Sequence, residues 1–315
     1  MKETGYRQIN KSLNICAFED YLKSQQAKLL RLPDVEQVSP RVIRVLGQNP
    51  GKFTLQGTNT FIVGTGFHRA IVDTGQGVPE WKDLIASTLK KYGFTFSHVL
   101  LTHWHGDHTL GVPQLLELYP ELSDSIYKNS PGSGQQPIVD GQIFKVEGAT
   151  IRAVHAPGHS EDHMCFILEE ENAMFTGDNI LGNKASSAVE DLGTYMETLQ
   201  KMIDQGCQIG YPAHGPVIGN LDAKLKGELT MKRRREGQVV KSLQAAKSKG
   251  PIAAGRIPSL TLKELVTAIH GDSMDEEVRA MALEPFINEV CRKLAEDGRV
   301  AFQLHGGERR WFSIE

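Results

Sequence analysis

Apolar residues recur along this chain at two periods. In R-V-I-R-V-L (41–46), T-N-T-F-I-V-G-T (58–65) and R-A-I-V-D-T-G (69–75) they form short β-branched runs. Turn residues bound those runs: N-P-G at 49–51, then Gly64 and Gly66. The combination predicts three strands. A helical spacing follows over about 80–91, then the buried strand S-H-V-L-L-T (97–102). Further strands are predicted at 138–146, 150–155, 163–168 and 173–176, a helix at 195–205, and a short strand, I-G-Y-P, at 209–212. Strands and helices thus alternate through residues 40–220, the pattern of a layered α/β domain with mixed sheets.

The flanks differ. Residues 1–38 read as a helical extension, because F-E-D-Y-L-K-S-Q-Q-A-K-L-L-R-L spaces its apolar positions at three and four and stops at Pro33. Residues 221–255 read as a strongly charged helix containing M-K-R-R-R-E, followed by a linker, G-P-I-A-A-G-R-I-P. Residues 256–315 predict two or three helices and a hairpin, R-V-A-F-Q-L, G-G, R-R-W-F-S-I, which resembles a winged helix. Their apolar positions, among them Leu265, Val266, Phe286 and Val290, need a surface against which to be buried. The chain therefore divides into an extension (1–38), an α/β domain (39–220), a charged helix with linker (221–255) and a C-terminal α+β module (256–315).

Composition narrows the function classes. The 315 residues carry a formal net charge of -3 with 23% charged residues, which gives no global reason to expect nucleic acid as the partner. No run of about 18 apolar residues occurs, so no membrane-spanning helix is expected. The start, M-K-E-T-G-Y-R, has an early acid and no apolar core, which argues against a secretory signal. Cys16, Cys165, Cys207 and Cys291 lack C-x-x-C spacing and read as reduced thiols, so a cytoplasmic protein is expected.

The candidate chemistry starts at T-H-W-H-G-D-H-T-L-G (102–111). His103, His105 and Asp107 can point to one side of a tight loop while His108 turns to a neighbouring point. Single ligand types recur where later strands end: His159 in P-G-H-S, Asp178 in T-G-D-N and His214 in Y-P-A-H-G. Imidazole and carboxylate without thiolate suit zinc and also admit manganese or iron. No G-x-S-x-G motif offers a serine nucleophile.

The ordered set His103, His105, Asp107, His108, His159, Asp178 and His214 resembles the metallo-β-lactamase superfamily. The resemblance implies an αββα sandwich over about residues 40–220. It also implies two metal ions, taken as two Zn2+, with His103, His105 and His159 on one, Asp107, His108 and His214 on the other, and Asp178 bridging. Asp107 would both ligate metal and pass the proton of the attacking water, the one catalytic role assigned. Asp73, in D-T-G, is similar to the family's strand-end aspartate and is expected to hold ligands or local backbone. Two such cations about 3.5–4 Å apart acidify a shared water and polarise a carbonyl or phosphoryl oxygen.

Longer stretches sharpen the resemblance. R-V-I-R-V-L-G-Q-N-P-G-K-F-T-L-Q-G-T-N-T-F-I-V-G-T-G, H-S-E-D-H-M and L-E-E-E-N-A-M-F-T-G-D-N-I-L-G resemble the lactamase-like protein beta 2 branch, which includes a mitochondrial single-strand RNA endonuclease. I-Y-K-N-S-P, Q-Q-P-I-V-D-G-Q-I-F-K-V-E-G-A-T-I-R-A-V-H-A-P-G-H-S and the closing R-R-W-F resemble fungal atrochrysone carboxyl carrier-protein thioesterases. The implied reaction is hydrolysis of an acyl thioester on the acyl carrier protein of a non-reducing polyketide synthase, freeing an aromatic acid. A single-strand RNA endonuclease and a glyoxalase II-like thioester hydrolase are the alternatives. N-K-A-S-S-A-V-E-D-L after Gly182 departs from the glycine-containing, G-H-G-T-like turn expected there. His163 and Met164 are expected to pack beneath the site, and His98 and His155 to be core histidines. The K-R-R-R run reads as a solvated helix face, or else as an attraction for an acidic carrier or phosphate.

Overall fold

The computed structural model of the protein describes residues 29–182, 187–248, 257–272, 276 and 279–315. The predicted helix within 18–32 lies outside the described residues as far as residue 28, and residues 29–34 are not helical. Most of the predicted linker, residues 249–256, also lies outside them. The described residues form two compact units, with the boundary after Lys226.

In the first unit, a seven-stranded sheet runs in sequence order through β1 (Val35–Ser39), β2 (Val42–Leu46), β3 (Asn59–Val63), β4 (His68–Val72), β5 (Thr95–Leu101), β6 (Ile126–Lys128) and β7 (Gln136–Pro137). The first four strands pair antiparallel, and the rest pair parallel. A five-stranded sheet has β8 (Ile143–Val146), β9 (Ala149–His155), β10 (Met164–Leu168), β11 (Ala173–Gly177) and β12 (Ile209–Pro212) in the order β12-β11-β10-β9-β8.

Strand alternation decides the layers. Val42, Phe61, Val63, Val72 and Leu100 of the first sheet meet Ile151, Phe166, Phe175 and Tyr211 of the second in one core. The opposite-facing Ile43, Ile62, Ile71 and Val99 form another core with Trp81, Ile85 and Leu89 of α1 (Pro79–Tyr92) and Leu115 of α3 (Val112–Leu118). The four-residue α2 (Gly106–Thr109) lies between those helices in the chain. Helix α1 starts on proline and ends at Gly93, whose left-handed backbone (φ 68°) lets its N–H return to the Leu89 carbonyl. On the second sheet, α4 (Leu192–Asp204) is capped by Asp191, whose side chain accepts from the Thr194 N–H. Its Tyr195 hydroxyl donates to the Asn179 carbonyl and its Thr198 hydroxyl to that of Pro157, which fastens it to the ends of β11 and β9. This is the αββα layering expected.

Three local expectations change. Residues 35–38, assigned to the helical extension, form the edge strand β1 together with Ser39, because V-E-Q-V-S pairs antiparallel with β2. The predicted strand over 138–146 is split: Gly141 takes a left-handed φ of 80° and its N–H turns to the Ala153 carbonyl, so only Ile143–Val146 is extended. Strand β6 was not predicted, since I-Y-K is too short to show a period.

The second unit holds the remainder of α5 (Leu221–Lys247), α6 (Leu262–His270), α7 (Glu284–Glu296) after a single π-helical turn, and a hairpin of β13 (Val300–His305) and β14 (Glu308–Ser313). Thr261 and Glu264 form a capping box on α6. The hairpin turns on Gly306 and Gly307, both at positive φ. The basic run in α5 is not one face. Lys232 continues the buried stripe of Leu225, Leu229, Val239 and Leu243, whereas Arg233, Arg234 and Arg235 are exposed, the last laying its guanidinium over the Phe286 ring at 4.2 Å.

Candidate metal centre

All seven candidate ligands come together at strand ends on one rim of the two sheets. The loop after β5 supplies His103 and His105, and α2 supplies Asp107 and His108. The loops after β9, β11 and β12 supply His159, Asp178 and His214. One group comprises His103, His105, His159 and Asp178, and another comprises Asp107, His108 and His214; within each group the donor atoms lie within 4.8 Å of one another.

In the first group, His105 Nδ1 lies 2.9 Å from His103 Nε2 and 3.0 Å from His159 Nε2. In the second, Asp107 Oδ2 lies 3.2 Å from both His108 Nε2 and His214 Nε2. Asp178 faces both groups. Its Oδ1 is 3.1 Å from His214 Nε2 and 3.5 Å from His108 Nε2, and its Oδ2 is 3.6 Å from His159 Nε2. Ligands on a tetrahedral ion with bonds of about 2.0–2.1 Å stand roughly 3.3 Å apart, close to this spacing.

The outer hydrogen bonds decide which nitrogens carry hydrogen. His108 Nδ1 lies 2.8 Å from Asp73 Oδ2, and His159 Nδ1 lies 2.7 Å from the Ala188 carbonyl. The Thr102 hydroxyl gives its single hydrogen to Asp73, so it accepts from His103 Nδ1 at 3.0 Å. His103, His108 and His159 therefore carry hydrogen on Nδ1 and point Nε2 inward, as a lone pair on the neutral rings of His103 and His159. Two of those lone pairs converge on His105 Nδ1, whose one hydrogen can serve only one of them. A cation between the nitrogens satisfies all three, so the residues fit a metal ion. Asp178 Oδ1 and His108 Nε2 are likewise buried without a hydrogen bond among the described residues.

The electrostatics have the same origin. Burial, with His108 and His159 nearby, holds the His103 imidazole well below its usual range, and burial and His159 bring His105 down to about 4. Burial also lowers His159. Burial works against the charge on Asp107 and Asp178, but the facing His108 and His214 outweigh it and keep both carboxyls well below the usual carboxylate range. Burial is outweighed in the opposite sense at His214, raised to about 9 by Asp178 and Asp107, and at His108, raised well above its usual value. The first three imidazoles are thus held neutral, as ligands must be.

Asp73, at φ 60°, accepts from the Thr102 N–H as well as from His108. His163 is fully buried and its Nε2 accepts from the Asp178 N–H at 3.1 Å, so it holds the backbone of Asp178. A Cβ on Gly177 would lie 2.4 Å from that nitrogen, and one on Gly158 would lie 2.5 Å from Tyr195 Cα, so both junctions need glycine. His98 and His155, expected in the core, are only half-buried: His98 packs against Tyr127 and Phe144, and His155 Nε2 faces the Glu161 carbonyl. Sequence reasoning missed the hydroxyl of Thr58, which donates to Asp107 Oδ2 at 3.1 Å, and the buried ion pair of Lys128 with Asp162. It also missed the Ala188 carbonyl, which no side-chain type could reveal. Asn183–Ser186, in the divergent loop, lie outside the described residues.

Comparisons with known proteins bear on this geometry. The profile of the metallo-β-lactamase superfamily matches residues 53–128. An atrochrysone carboxyl ACP thioesterase of Aspergillus terreus is 64% identical over 314 residues, covering 100% of this chain and 98% of its own. One from Claviceps purpurea is 64% identical over 99% of this chain and 98% of its own. Among solved structures, a metallo-β-lactamase family protein from Thermus thermophilus aligns with a TM-score of 0.60 at 20% identity, over 88% of this chain and 100% of that one. A β-lactamase domain protein from Burkholderia ambifaria gives 0.63 at 17% identity, over 90% and 95%. These two share the fold.

Proposed function

The chain belongs to the metallo-β-lactamase superfamily, among the atrochrysone carboxyl ACP thioesterases, and from that membership we propose its reaction. It is a metal-dependent hydrolase that cleaves the thioester between a polyketide and an acyl carrier protein, releasing a free aromatic acid of the atrochrysone carboxylic acid kind. The observation that carries this reading is the pair of converging donor groups inside a chain alike to those thioesterases along nearly its whole length.

The donor groups call for divalent metal. We assign two Zn2+, with Mn2+ or iron also suited to the donors. His103, His105 and His159 hold one ion, Asp107, His108 and His214 the other, and Asp178 both. When bound, the ions supply an acidified water and an electrophile for the thioester carbonyl. The chain's own residues do the rest. Asp107 accepts the proton of the attacking water and passes it on, so that water and thioester become acid and thiol. Asp73, Thr102 and the Ala188 carbonyl keep the imidazole nitrogens directed inward. The catalytic work falls to residues 39–220. Among the described residues no helix is long and apolar enough to cross a membrane, and we place the reaction in the cytoplasm. The partition of the K-R-R-R run, with Lys232 buried, weakens the case for a phosphate-tracking surface.

The test is release of free acid from a carrier protein acylated through its pantetheine thiol, followed by chromatography. Asp107→Asn should lower kcat by about 10²–10⁴-fold. An Asn variant as fast as wild type removes the proton role. Cleavage of RNA or glutathione thioesters with no carrier turnover removes the substrate assignment.

A further inference from the structure

The segment G-Q-N-P-G-K-F-T-L-Q-G-T-N-T (47–60) is more distinctive than the metal motif, yet the reaction as derived uses none of it. Thr58, fully buried, directly precedes β3 and bridges to His214. Its backbone N–H donates to Asn49 Oδ1 at 2.8 Å. A backbone N–H can only donate, so that end of the amide is the oxygen and the other end is Nδ2. Asn49 Nδ2 lies 3.0 Å from Thr58 Oγ1 and donates into it. The hydroxyl has one hydrogen, and its remaining acceptor is Asp107 Oδ2 at 3.1 Å. That oxygen is also the one facing His108 Nε2 and His214 Nε2. Thr54 Oγ1, donating to the Asn49 carbonyl at 2.6 Å, braces the relay from outside.

We propose that Thr58, oriented by Asn49, is a positioning residue for the metal held by Asp107, His108 and His214. The relay is directional: the amide donates to the hydroxyl, and the hydroxyl donates to the carboxylate. It fixes the rotation of the Asp107 carboxylate so that Oδ2 faces the two imidazoles, and it stabilises the charged form of the ligand. The inference rests on the assignment of Asp107 as a ligand, and it gives N-P-G…G-T-N-T a chemical reason: the loop delivers Asn49 to Thr58.

Three full-chain variants test it. Thr58→Val removes the hydroxyl at nearly constant shape, and Thr58→Ser returns it. Asn49→Asp keeps the amide's shape but makes residue 49 acceptor-only, so the Thr58 hydrogen turns towards residue 49 and away from Asp107. Each protein is loaded with Co2+, titrated against a chelator and followed by metal stoichiometry and visible spectrum, and kcat and KM are measured on the carrier thioester. The expected result is that Thr58→Val and Asn49→Asp weaken one of two cobalt ions by about 10–100-fold. The other ion should bind as in wild type, kcat should fall with KM unchanged, and Thr58→Ser should restore both. Wild-type binding of both ions in Thr58→Val and Asn49→Asp overturns the proposal, as does equal weakening of both ions. Should Thr58→Val fail to fold, the near-isosteric Asn49→Asp decides alone. Wild type that never takes up a second ion overturns the ligand assignment itself, and this inference falls with it.

Discussion

Replacing Asp73 by asparagine should weaken one metal site without touching the other. Asp73 accepts from the Thr102 N–H at 2.8 Å through Oδ1 and from His108 Nδ1 at 2.8 Å through Oδ2. In the Asn variant the backbone N–H keeps the oxygen at the Thr102 end, so the amide nitrogen faces His108. Two donors cannot share that contact. His108 must move its hydrogen to Nε2, the nitrogen that points at Asp107 and Asp178. The backbone does not confound the result, because asparagine accepts the left-handed conformation (φ 60°) that Asp73 adopts. Loss of such an orienting partner costs about 10–100-fold in metal affinity, or roughly 1.4–2.8 kcal/mol. That agrees with about 1.5–3 kcal/mol for a hydrogen bond to a charged group. Equilibrium dialysis with a competing chelator reads the two proposed ions separately: the one assigned to Asp107, His108 and His214 should weaken, and the one assigned to His103, His105 and His159 should not. Unchanged affinity for both ions, or equal loss of both, would refute the tautomer argument.

Other outcomes follow from the same geometry. Gly177→Ala places a Cβ 2.4 Å from His163 Nε2 at φ 50°, so it should destabilise the fold by about 2–5 kcal/mol, read as a fall in unfolding midpoint; an unchanged midpoint would show that the junction has slack. Lys128→Met strands a buried Asp162 and should cost about 3–5 kcal/mol in urea unfolding, most of it recovered by adding Asp162→Leu; a double variant no more stable than the single contradicts this. Burial pushes the thiols of Cys165 and Cys291 up to about 12 and that of Cys207 up to about 11. All three should therefore stay protonated and silent to a disulfide reagent at pH 8 until the protein is unfolded; reaction of any of them in the native protein contradicts their burial.

The divide between sequence and structure is clear at particular residues. Apolar-rich segments of five or more residues, such as V-I-R-V-L and S-H-V-L-L-T, mark strands because a period needs length to show, whereas I-Y-K does not. The edge strand V-E-Q-V-S was hidden beside a helical pattern, because an exposed edge carries polar residues that fit either reading. The seven candidate ligands were legible because metal chemistry admits few side-chain types and strand ends present them. The partners that orient those ligands were not. Asn49 lies nine residues before Thr58, and Thr58 lies 49 before Asp107, so only the pairing of β2 with β3, and of Thr58 with His214, brings amide, hydroxyl and carboxylate into line. The K-R-R-R run shows the converse: four like charges look alike in a sequence, and the pitch of α5 alone turns Lys232 inward while Arg233 and Arg234 face water. Local chemistry can be read from residue types and periods, but hydrogen-bond direction and burial are set by neighbours that only the folded chain provides.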